Sequence, residues 1–238
     1  MITFETFITA LVGYLLGSIS FSIIFAWLFT KKDVRDHGSG NAGATNVFRT
    51  SGLWPGLLTF IFDLAKGAAA IAFGRLIFEK FAAAGIGMAD TLATRQVGMC
   101  IAGLFAVLGH LYPLYFGFRG GKGVLTVAGI ILMLSWQSFI VLAVVFAAAL
   151  LLTRTVSIAS CTVAVVYPIV TLVLVLIEHS RAPELYTWSY CAMMTVISVI
   201  ISALVLYMHR SNIQRIKEGT EPKLSIETGE KKKKKVEC

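Results

Sequence analysis

The stretch VLTVAGIILMLSWQSFIVLAVVFAAALLL, residues 124–152, decides how this chain folds. As a single helix it would be about 43 Å long at about 1.5 Å per residue, well over the roughly 30 Å of a bilayer's hydrocarbon core. Its middle carries the polar run SWQS at 135–138, which lipid solvates poorly. The segment is therefore either one tilted helix or two shorter helices that meet at this run.

The composition of the whole chain points to a membrane protein. Of 238 residues, 57% are hydrophobic and only 14% are charged, whereas soluble domains carry about 25% charged residues. Long, nearly uncharged runs recur, and such runs are typical of membrane-spanning helices. The period-two alternation that a β-barrel needs is absent. We therefore predict an all-α, polytopic integral membrane protein.

The number of spans follows from the positions of the basic residues. The apolar segments are 4–29, 53–78, 97–116, 124–152, 156–177 and 187–208. If 124–152 forms two helices and the N-terminus is outside, then 16 of the 21 Lys and Arg residues lie in the cytoplasm, as the positive-inside rule requires. This count predicts seven transmembrane helices and a cytoplasmic C-terminus. The half from 124 to about 135 would be only ~18 Å long, so its polar lead-in is expected to dip into the membrane.

Two glycine-rich loops then lie on the cytoplasmic face and resemble anion-binding segments. The first is HGSGNAGATNVFRTSG at 37–52, and the second is GHLYPLYFGFRGGKGV at 109–124. Glycines allow consecutive backbone N–H groups to point into one concavity. Arg49 adds a planar fork for phosphate or carboxylate, and Lys122 lies just before a predicted helix N-terminus. For His110, bracing of the loop and contact with a substrate both remain open.

Two further segments reach the same face. HRSNIQRIKEGTE at 209–221 places His209 and Asn212 three residues apart, close together on one helical side. The basic residues of this segment are interpreted as anchors to anionic headgroups. RTVSIAS at 154–160 supplies Ser157 and Ser160. Serines in spans often bond to helix backbone, so a structural and a functional role stay open for both.

Asp63 and Lys66 lie inside the second predicted span and are spaced to pair with each other. Charges within spans usually face the protein interior or a cavity. A brace and a substrate guide are both possible roles, and the brace is preferred because Asp63 would neutralise Lys66. No cluster of metal-ligand residues is evident on the inner face, so neither a metal nor a cofactor is expected.

The motifs GSGNAGATN, GHLYPLYFGFRGGKG and HRSNIQRIKEG, in this order, resemble the acyl-phosphate-dependent glycerol-3-phosphate acyltransferases of bacteria, the PlsY family. The resemblance runs from Tyr14 to about Glu221. It implies a monomeric, seven-helix enzyme of the bacterial inner membrane whose active site faces the cytoplasm. It also implies transfer of a fatty acyl group from acyl phosphate to the 1-hydroxyl of sn-glycerol 3-phosphate. The products are lysophosphatidic acid and inorganic phosphate, in the first step of bacterial phospholipid synthesis.

The resemblance also implies roles for the residues of the motifs. Lys122, with the backbone amides of Gly120 and Gly121, is expected to hold the donor phosphate. Glycerol 3-phosphate is expected to contact Ser160, His209 and Asn212, with help from Ser157, and His110 is a further candidate contact. The proton acceptor is either a substrate phosphate, which is preferred, or His209. The residues expected to line the phosphate pockets are Ser39, Gly40, Asn41, Thr45, Asn46 and Arg49.

Two features depart from the family pattern. Arg119 stands where the family usually has lysine, and the two cations are not equivalent. Residues 222–238, which include KKKKK at 231–235, form a basic tail that is expected to be disordered and drawn to anionic lipid. The catalytic domain is therefore expected to span 1–221.

Two other classes of protein remain as rivals. A transporter of a phosphorylated metabolite would also need anion pockets, although transporters usually show internal repeats and midplane sites. A lipid-binding scaffold without activity is the second rival, and it would not need Lys122 and His209 together.

Overall fold

The chain folds into helices throughout the part that the structure describes. The structure is a computed structural model that describes residues 3–86 and 92–224. Residues 225–238, which hold most of the predicted basic tail, lie outside the described residues. The α-helices are α1 (Phe4–Gly17), α2 (Phe21–Thr30), α3 (Ala44–Ser51), α4 (Leu53–Ala83), α5 (Leu92–Leu111), α6 (Val124–Leu134), α7 (Trp136–Thr153), α8 (Val156–Arg181), α9 (Trp188–Met208) and α10 (Arg210–Lys217).

Six of these helical stretches are long and apolar enough to cross a membrane, which confirms a multi-pass, all-helical protein. They are Phe4–Thr30, which combines α1 and α2, Leu53–Ala83, Thr94–Phe116, Trp136–Thr153, Val156–Arg181 and Trp188–Met208. The helix α6 is apolar but has only 11 residues, or about 16 Å. Six crossings thus follow from helix length, and the predicted seventh depends on α6.

The predicted break in residues 124–152 is present. The helix α6 ends at Leu134 and α7 begins at Trp136. Ser135 between them has extended backbone angles, and its hydroxyl accepts a hydrogen bond from the Ser138 N–H at 3.2 Å. A side chain that satisfies an exposed N–H favours a new helix start at this point. The polar run therefore separates two helices that pack against different neighbours, α6 against α4 and α7 against α8.

A second break, which the sequence analysis did not predict, divides the first apolar segment between Gly17 and Phe21. An ion pair from α4 lies against it. The Lys66 ammonium is 2.9 Å from the Asp63 carboxylate and donates a hydrogen bond to the Ile19 carbonyl at 2.7 Å. Asp63 in turn accepts a hydrogen bond from the Phe21 N–H. The pair therefore occupies backbone groups that a broken helix leaves unsatisfied, as a brace would.

Small residues allow the helices around α5 to approach closely. A Cβ added at Gly17 would lie 2.1 Å from the Ala106 carbonyl oxygen, and one at Gly109 would lie 2.2 Å from that of Tyr14. Only glycine fits where backbones approach so closely, an arrangement common in membrane helix packing. The main apolar core lies beside this contact and gathers residues of α5, α6, α8 and α9 around Val107 and Ile130. The same core includes Leu111 at the end of α5 and Val205 near the end of α9.

Candidate active site

One cavity of about 710 Å³ opens where the polar loops meet the ends of the helices. The loop before α3, the residues just before α6, the start of α8 and the helix α10 all contribute to its wall. Segments far apart in the sequence therefore surround a single space. The predicted site residues that line it are Ser39, Asn41, Thr45, Asn46, Arg49, His110, Lys122, Ser157, Ser160, His209 and Asn212.

Asn46 organises the loop before α3 from within. It is almost fully buried, and its side-chain amide donates to the carbonyls of Val34 and His37 at 2.9 Å and of Asn41 at 3.1 Å. Its oxygen accepts a hydrogen bond from the Ser39 N–H at 2.9 Å. Because these bonds use the whole amide, Asn46 fixes the shape of the loop.

Gly40 does not line the cavity, contrary to expectation. Its φ of +69° lies in the left-handed region, and its N–H donates to the His37 carbonyl at 3.1 Å. The glycine is therefore used for the turn itself. Ser39, Thr45 and Arg49 remain as groups of this loop and of α3 that line the cavity. Among the described residues no acid pairs with Arg49, so its guanidinium is available to an anion.

The backbone amides of Gly120 and Gly121, which were expected to hold the donor phosphate, have partners within the protein. These N–H groups donate to the carbonyls of Leu111 and His110, each at 3.2 Å, and neither glycine lines the cavity. A Cβ at Gly120 would lie 2.0 Å from the His110 oxygen, and one at Gly121 would lie 2.2 Å from the Ala42 oxygen. The glycines are required because the backbones nearly touch. Their amides hold the loop and leave Lys122 as its cationic group in the cavity.

Lys122 extends across the cavity from the loop to α10. Its ammonium donates to the side-chain oxygen of Asn212. Burial lowers the pKa of Lys122 to about 8, although the negative charge of Glu221 acts in the opposite direction. A partly desolvated ammonium has lost part of its water shell, so a phosphate would gain more by approaching it.

Glu221 joins three site residues and was missed by the sequence analysis, which treated it only as the end of the domain. Its carboxylate accepts hydrogen bonds from Ser157, from the Asn212 amide at 2.7 Å and from Arg215 at 2.7 Å. Burial opposes ionisation, but these hydrogen bonds hold the pKa of Glu221 below its usual range. The sequence did offer one signal, because a glycine at position 219 is typical of a helix end after which the chain turns back. In the structure Gly219 has a φ of +70° and follows α10.

Arg215 also lines the cavity. The sequence had favoured a different role for it, as an anchor to anionic lipid headgroups. Its Nε is held by Glu221, and its side chain is partly exposed. Spacing gave a signal for this position, because Arg215 follows Asn212 by three residues and so lies on the same side of α10. Arg215 adds a third cation to the wall, beside Arg49 and Lys122.

His209 is buried at the end of α9 with one ring nitrogen engaged. Its Nδ1 lies 2.8 Å from the Val205 carbonyl oxygen. Since a carbonyl only accepts, Nδ1 carries the hydrogen and Nε2 of the neutral ring is an acceptor. Burial is also the main cause that lowers the pKa of His209. The cavity therefore contains a neutral group that can accept a proton.

Ser160 and His110 are both buried in the cavity wall with partners of their own. The Ser160 hydroxyl donates to the Val156 carbonyl at 2.9 Å, one helical turn away. The His110 Nδ1 lies 3.2 Å from the Thr126 hydroxyl. Bonding within the helix is the structural alternative considered for Ser160, and a hydroxyl used in this way still has lone pairs free to accept.

The remaining wall of the cavity is apolar and includes one acid. Phe48, Phe60, Phe146 and Leu150 contribute apolar surface to the wall. Phe60 lies on α4 and Phe146 on α7, and both helices carry many exposed apolar side chains. Asp63 also reaches the wall, so the ion pair that braces α1 and α2 also borders the site. The cavity thus combines cations, neutral hydrogen-bonding groups and an apolar surface.

Comparison with known proteins identifies the family. The model of the family described as "Glycerol-3-phosphate acyltransferase" matches residues 7–219. The chain belongs to the glycerol-3-phosphate acyltransferase family. This match covers the apolar segments and every residue of the cavity wall up to Arg215. It includes the three motifs on which the resemblance was based.

Relatives in this family extend over nearly the whole chain. A glycerol-3-phosphate acyltransferase of Syntrophomonas wolfei is 42% identical over 212 residues, which cover 89% of this chain and 93% of the relative. One from Enterococcus faecalis is 38% identical over 228 residues, 96% of each chain. The fold is similar to the crystal structure of PlsY, described as an integral membrane glycerol 3-phosphate acyltransferase, in its glycerol 3-phosphate form. That match has a TM-score of 0.74 and 32% identity, and covers 92% of this chain and 96% of PlsY.

Proposed function

We propose that this chain transfers a fatty acyl group from acyl phosphate to the 1-hydroxyl of sn-glycerol 3-phosphate, giving lysophosphatidic acid and inorganic phosphate. The observation that carries the proposal is the single cavity whose wall includes the cations Arg49, Lys122 and Arg215 together with aromatic side chains. Cations suit two phosphorylated substrates, and the apolar wall suits an acyl chain. The named activity of the relatives agrees with this reaction.

Acyl phosphate suits a site of this kind because it is already activated. It is a mixed anhydride whose leaving group departs as inorganic phosphate. Such a donor needs positioning and neutralisation of charge, which Lys122 and the arginines can supply. It needs no covalent acyl-enzyme, and the Ser160 hydroxyl is bonded to a backbone carbonyl rather than to a base.

In the proposed step the 1-hydroxyl oxygen of glycerol 3-phosphate attacks the acyl carbonyl carbon. The bond between that carbon and the phosphate oxygen breaks, and the phosphate leaves with the electron pair. The hydroxyl proton passes to a phosphate oxygen of the substrates, or to Nε2 of His209 as the alternative. Lys122 stabilises the charge that develops on the departing phosphate.

The remaining site residues are proposed to hold the substrates. Ser39, Thr45 and Arg49 lie together in the first loop and α3 and would bind one phosphate. Ser157, Ser160 and Asn212 line the wall near His209 and would hold glycerol 3-phosphate. Asn41 and His110 border the same space and are proposed as further contacts.

The proposed topology has seven crossings, an external N-terminus and a cytoplasmic C-terminus in the bacterial inner membrane. Under this topology 16 of the 21 Lys and Arg residues lie in the cytoplasm, together with the cavity. The short helix α6 would be the fourth crossing. It packs along α4, and protein can surround its ends where lipid would be too thick for it. A monomer with one domain over 1–221 contains every proposed site residue.

The reaction can be tested on purified protein in lipid vesicles given acyl phosphate and glycerol 3-phosphate, with neither coenzyme A nor acyl carrier protein present. We expect phosphate release that requires both substrates, with equimolar lysophosphatidic acid. Uptake of glycerol 3-phosphate without turnover would support the rival transporter instead. Absence of both turnover and uptake would support the lipid-binding scaffold.

A further inference from the structure

Arg35 lies outside the cavity wall but joins the two loops that form it. It belongs to a single turn of 3₁₀ helix, Val34–Asp36, just before the first glycine-rich loop. Its guanidinium donates through Nη1 to the carbonyl of Phe116 at 2.7 Å and to that of Arg119 at 3.2 Å. Both carbonyls belong to the second loop, more than eighty residues away. One side chain therefore connects the two anion-binding segments.

The opposite side of the same guanidinium is fixed by Asp33. Arg35 Nε lies 3.0 Å and 3.1 Å from the two carboxylate oxygens, and Nη2 lies 2.7 Å from one of them. The hydrogen bond from Arg35 is the main cause that holds the pKa of Asp33 below its usual range, so the acid stays ionised at neutral pH. A planar fork held along one edge has little freedom to rotate.

The segment that Arg35 contacts has an unusual backbone conformation. Gly117 and Phe118 both have positive φ, of 67° and 59°. A bulky residue in the left-handed region is an outlier that persists only where its surroundings enforce it. The two carbonyls that accept from Arg35, those of Phe116 and Arg119, lie on either side of this pair. Lys122 follows three residues later.

We propose that Arg35, oriented by Asp33, is a positioning residue that fixes the loop carrying Lys122 against the loop carrying Ser39 and Arg49. The consequence for activity rests on the proposed function, because it assumes that these groups hold the two phosphorylated substrates. Arg35 itself touches neither substrate. It sets the spacing between their binding groups, on which the alignment of hydroxyl and carbonyl depends.

Hydrogen exchange tests the loop directly and without substrate. The Gly120 and Gly121 amides are protected by bonds to Leu111 and His110, so release of the loop should expose them. In Arg35→Gln and Asp33→Asn we expect these amides to exchange about tenfold faster, because a charge-assisted contact has been removed. Lys32→Gln is the matched control, since it removes an exposed cation of the same segment.

Kinetics then connect the loop to the reaction. A variant that merely contains less folded enzyme has a lower kcat and an unchanged KM. A displaced loop should instead raise the KM for glycerol 3-phosphate by about tenfold. Arg35→Lys, which keeps the charge but has no fork, should fall between Arg35→Gln and the unmodified chain, because one ammonium cannot reproduce every contact.

The outcomes separate this proposal from the proposed function. If the Gly120 and Gly121 amides exchange as slowly in Arg35→Gln as in Lys32→Gln, the proposal is overturned, whatever the KM of the variants. Faster exchange with an unchanged KM would overturn the link to substrate positioning. If the unmodified protein shows no acyl transfer, the proposed function fails by itself, and the exchange of the loop amides still decides whether Arg35 holds the loop.

Discussion

Lys122 is the residue on which the electrostatics of the site depend most. Arg49 and Arg215 contribute like charge near it, while Glu221 and the Cys161 thiol act in the opposite direction. Burial is the largest effect and brings the pKa of Lys122 to about 8. At neutral pH the ammonium is therefore mostly charged, but it loses its proton under mildly alkaline conditions.

This pKa predicts the pH dependence of the reaction. As the pH rises through about 8, Lys122 is deprotonated and the site loses a cation, so kcat/KM should fall. In Lys122→Arg the guanidinium stays charged, and the decline near pH 8 should disappear even if the overall rate is lower. Initial rates between pH 6.5 and pH 9.5 for both proteins, at roughly constant ionic strength, provide the measurement. If kcat/KM falls in the same way above pH 8 in the unmodified chain and in Lys122→Arg, the group that titrates is not Lys122.

His209→Gln distinguishes between the two candidate proton acceptors. If a substrate phosphate accepts the proton, as we prefer, the glutamine variant should keep its kcat within a fewfold and show a higher KM for glycerol 3-phosphate. If His209 is the base, kcat should fall by about 10² to 10⁴. Steady-state kinetics with saturating acyl phosphate give the answer, and a large loss of kcat would contradict the preferred mechanism.

The sequence identified most of the polar side chains that line the cavity, but not how the backbone of the loops is used. Lys122 and Arg49 could be predicted because a cation among glycines has few structural uses. The hydrogen-bond partners of the Gly120 and Gly121 amides could not be predicted, because they depend on how closely the loop approaches the end of α5. Asn46 was placed correctly in the wall, yet its amide binds its own loop.

The two helix breaks show what local sequence can and cannot predict. The break at Ser135 has a polar cap within the segment itself, so the run SWQS marked the place of the break and the distribution of basic residues favoured two helices. The break before Phe21 is stabilised by Asp63 and Lys66, which lie more than forty residues later. Contacts of such long range leave no periodic signal in the segment that they bend.

The ion pair between Asp63 and Lys66 should contribute to stability mainly through its mutual neutralisation. Both side chains are almost fully buried. Lys66→Met would leave a buried, unpaired carboxylate, and we expect a loss of about 3–5 kcal/mol in the free energy of unfolding. The double variant Asp63→Asn with Lys66→Met should recover part of this loss. Unfolding in detergent with increasing denaturant measures both, and equal stability of the single and double variants would contradict the paired role.

The chain beyond α10 belongs to the site as far as Leu224. Glu221 binds three site residues, and the Leu224 N–H donates to the Arg154 carbonyl at 2.7 Å. The expected domain boundary at residue 221, where the resemblance ends, lies within this segment, which lines the cavity as far as Leu224. The contact between Leu224 and Arg154 connects the turn after α7 to the segment after α10.

Two truncations test this boundary. A chain ending at Leu224 keeps Glu221 and the contact to Arg154, so its acyl transfer should stay within about twofold of the full chain. A chain ending at Gly219 lacks both, and Asn212 loses its carboxylate partner, so the KM should rise by about tenfold. Similar activity of the two truncated chains would show that the segment after Gly219 is dispensable.

Segments from both ends and the middle of the chain line one cavity, and we propose that this cavity binds two phosphorylated substrates. Composition and charge could predict the helical class and the grouping of these segments. The shape of the cavity could not be predicted, because its wall is formed by residues of segments that are far apart in sequence.

Acyl transfer by Lys122→Ala tests whether this cavity is the site of the reaction. The matched control is Lys217→Ala, which removes an exposed cation of α10 that does not line the cavity. Phosphate release that depends on both substrates should fall by at least about 10² in Lys122→Ala, because a charge that stabilises the leaving group is lost. The control should keep nearly the full rate. Turnover by Lys122→Ala at the rate of the unmodified chain would contradict the account.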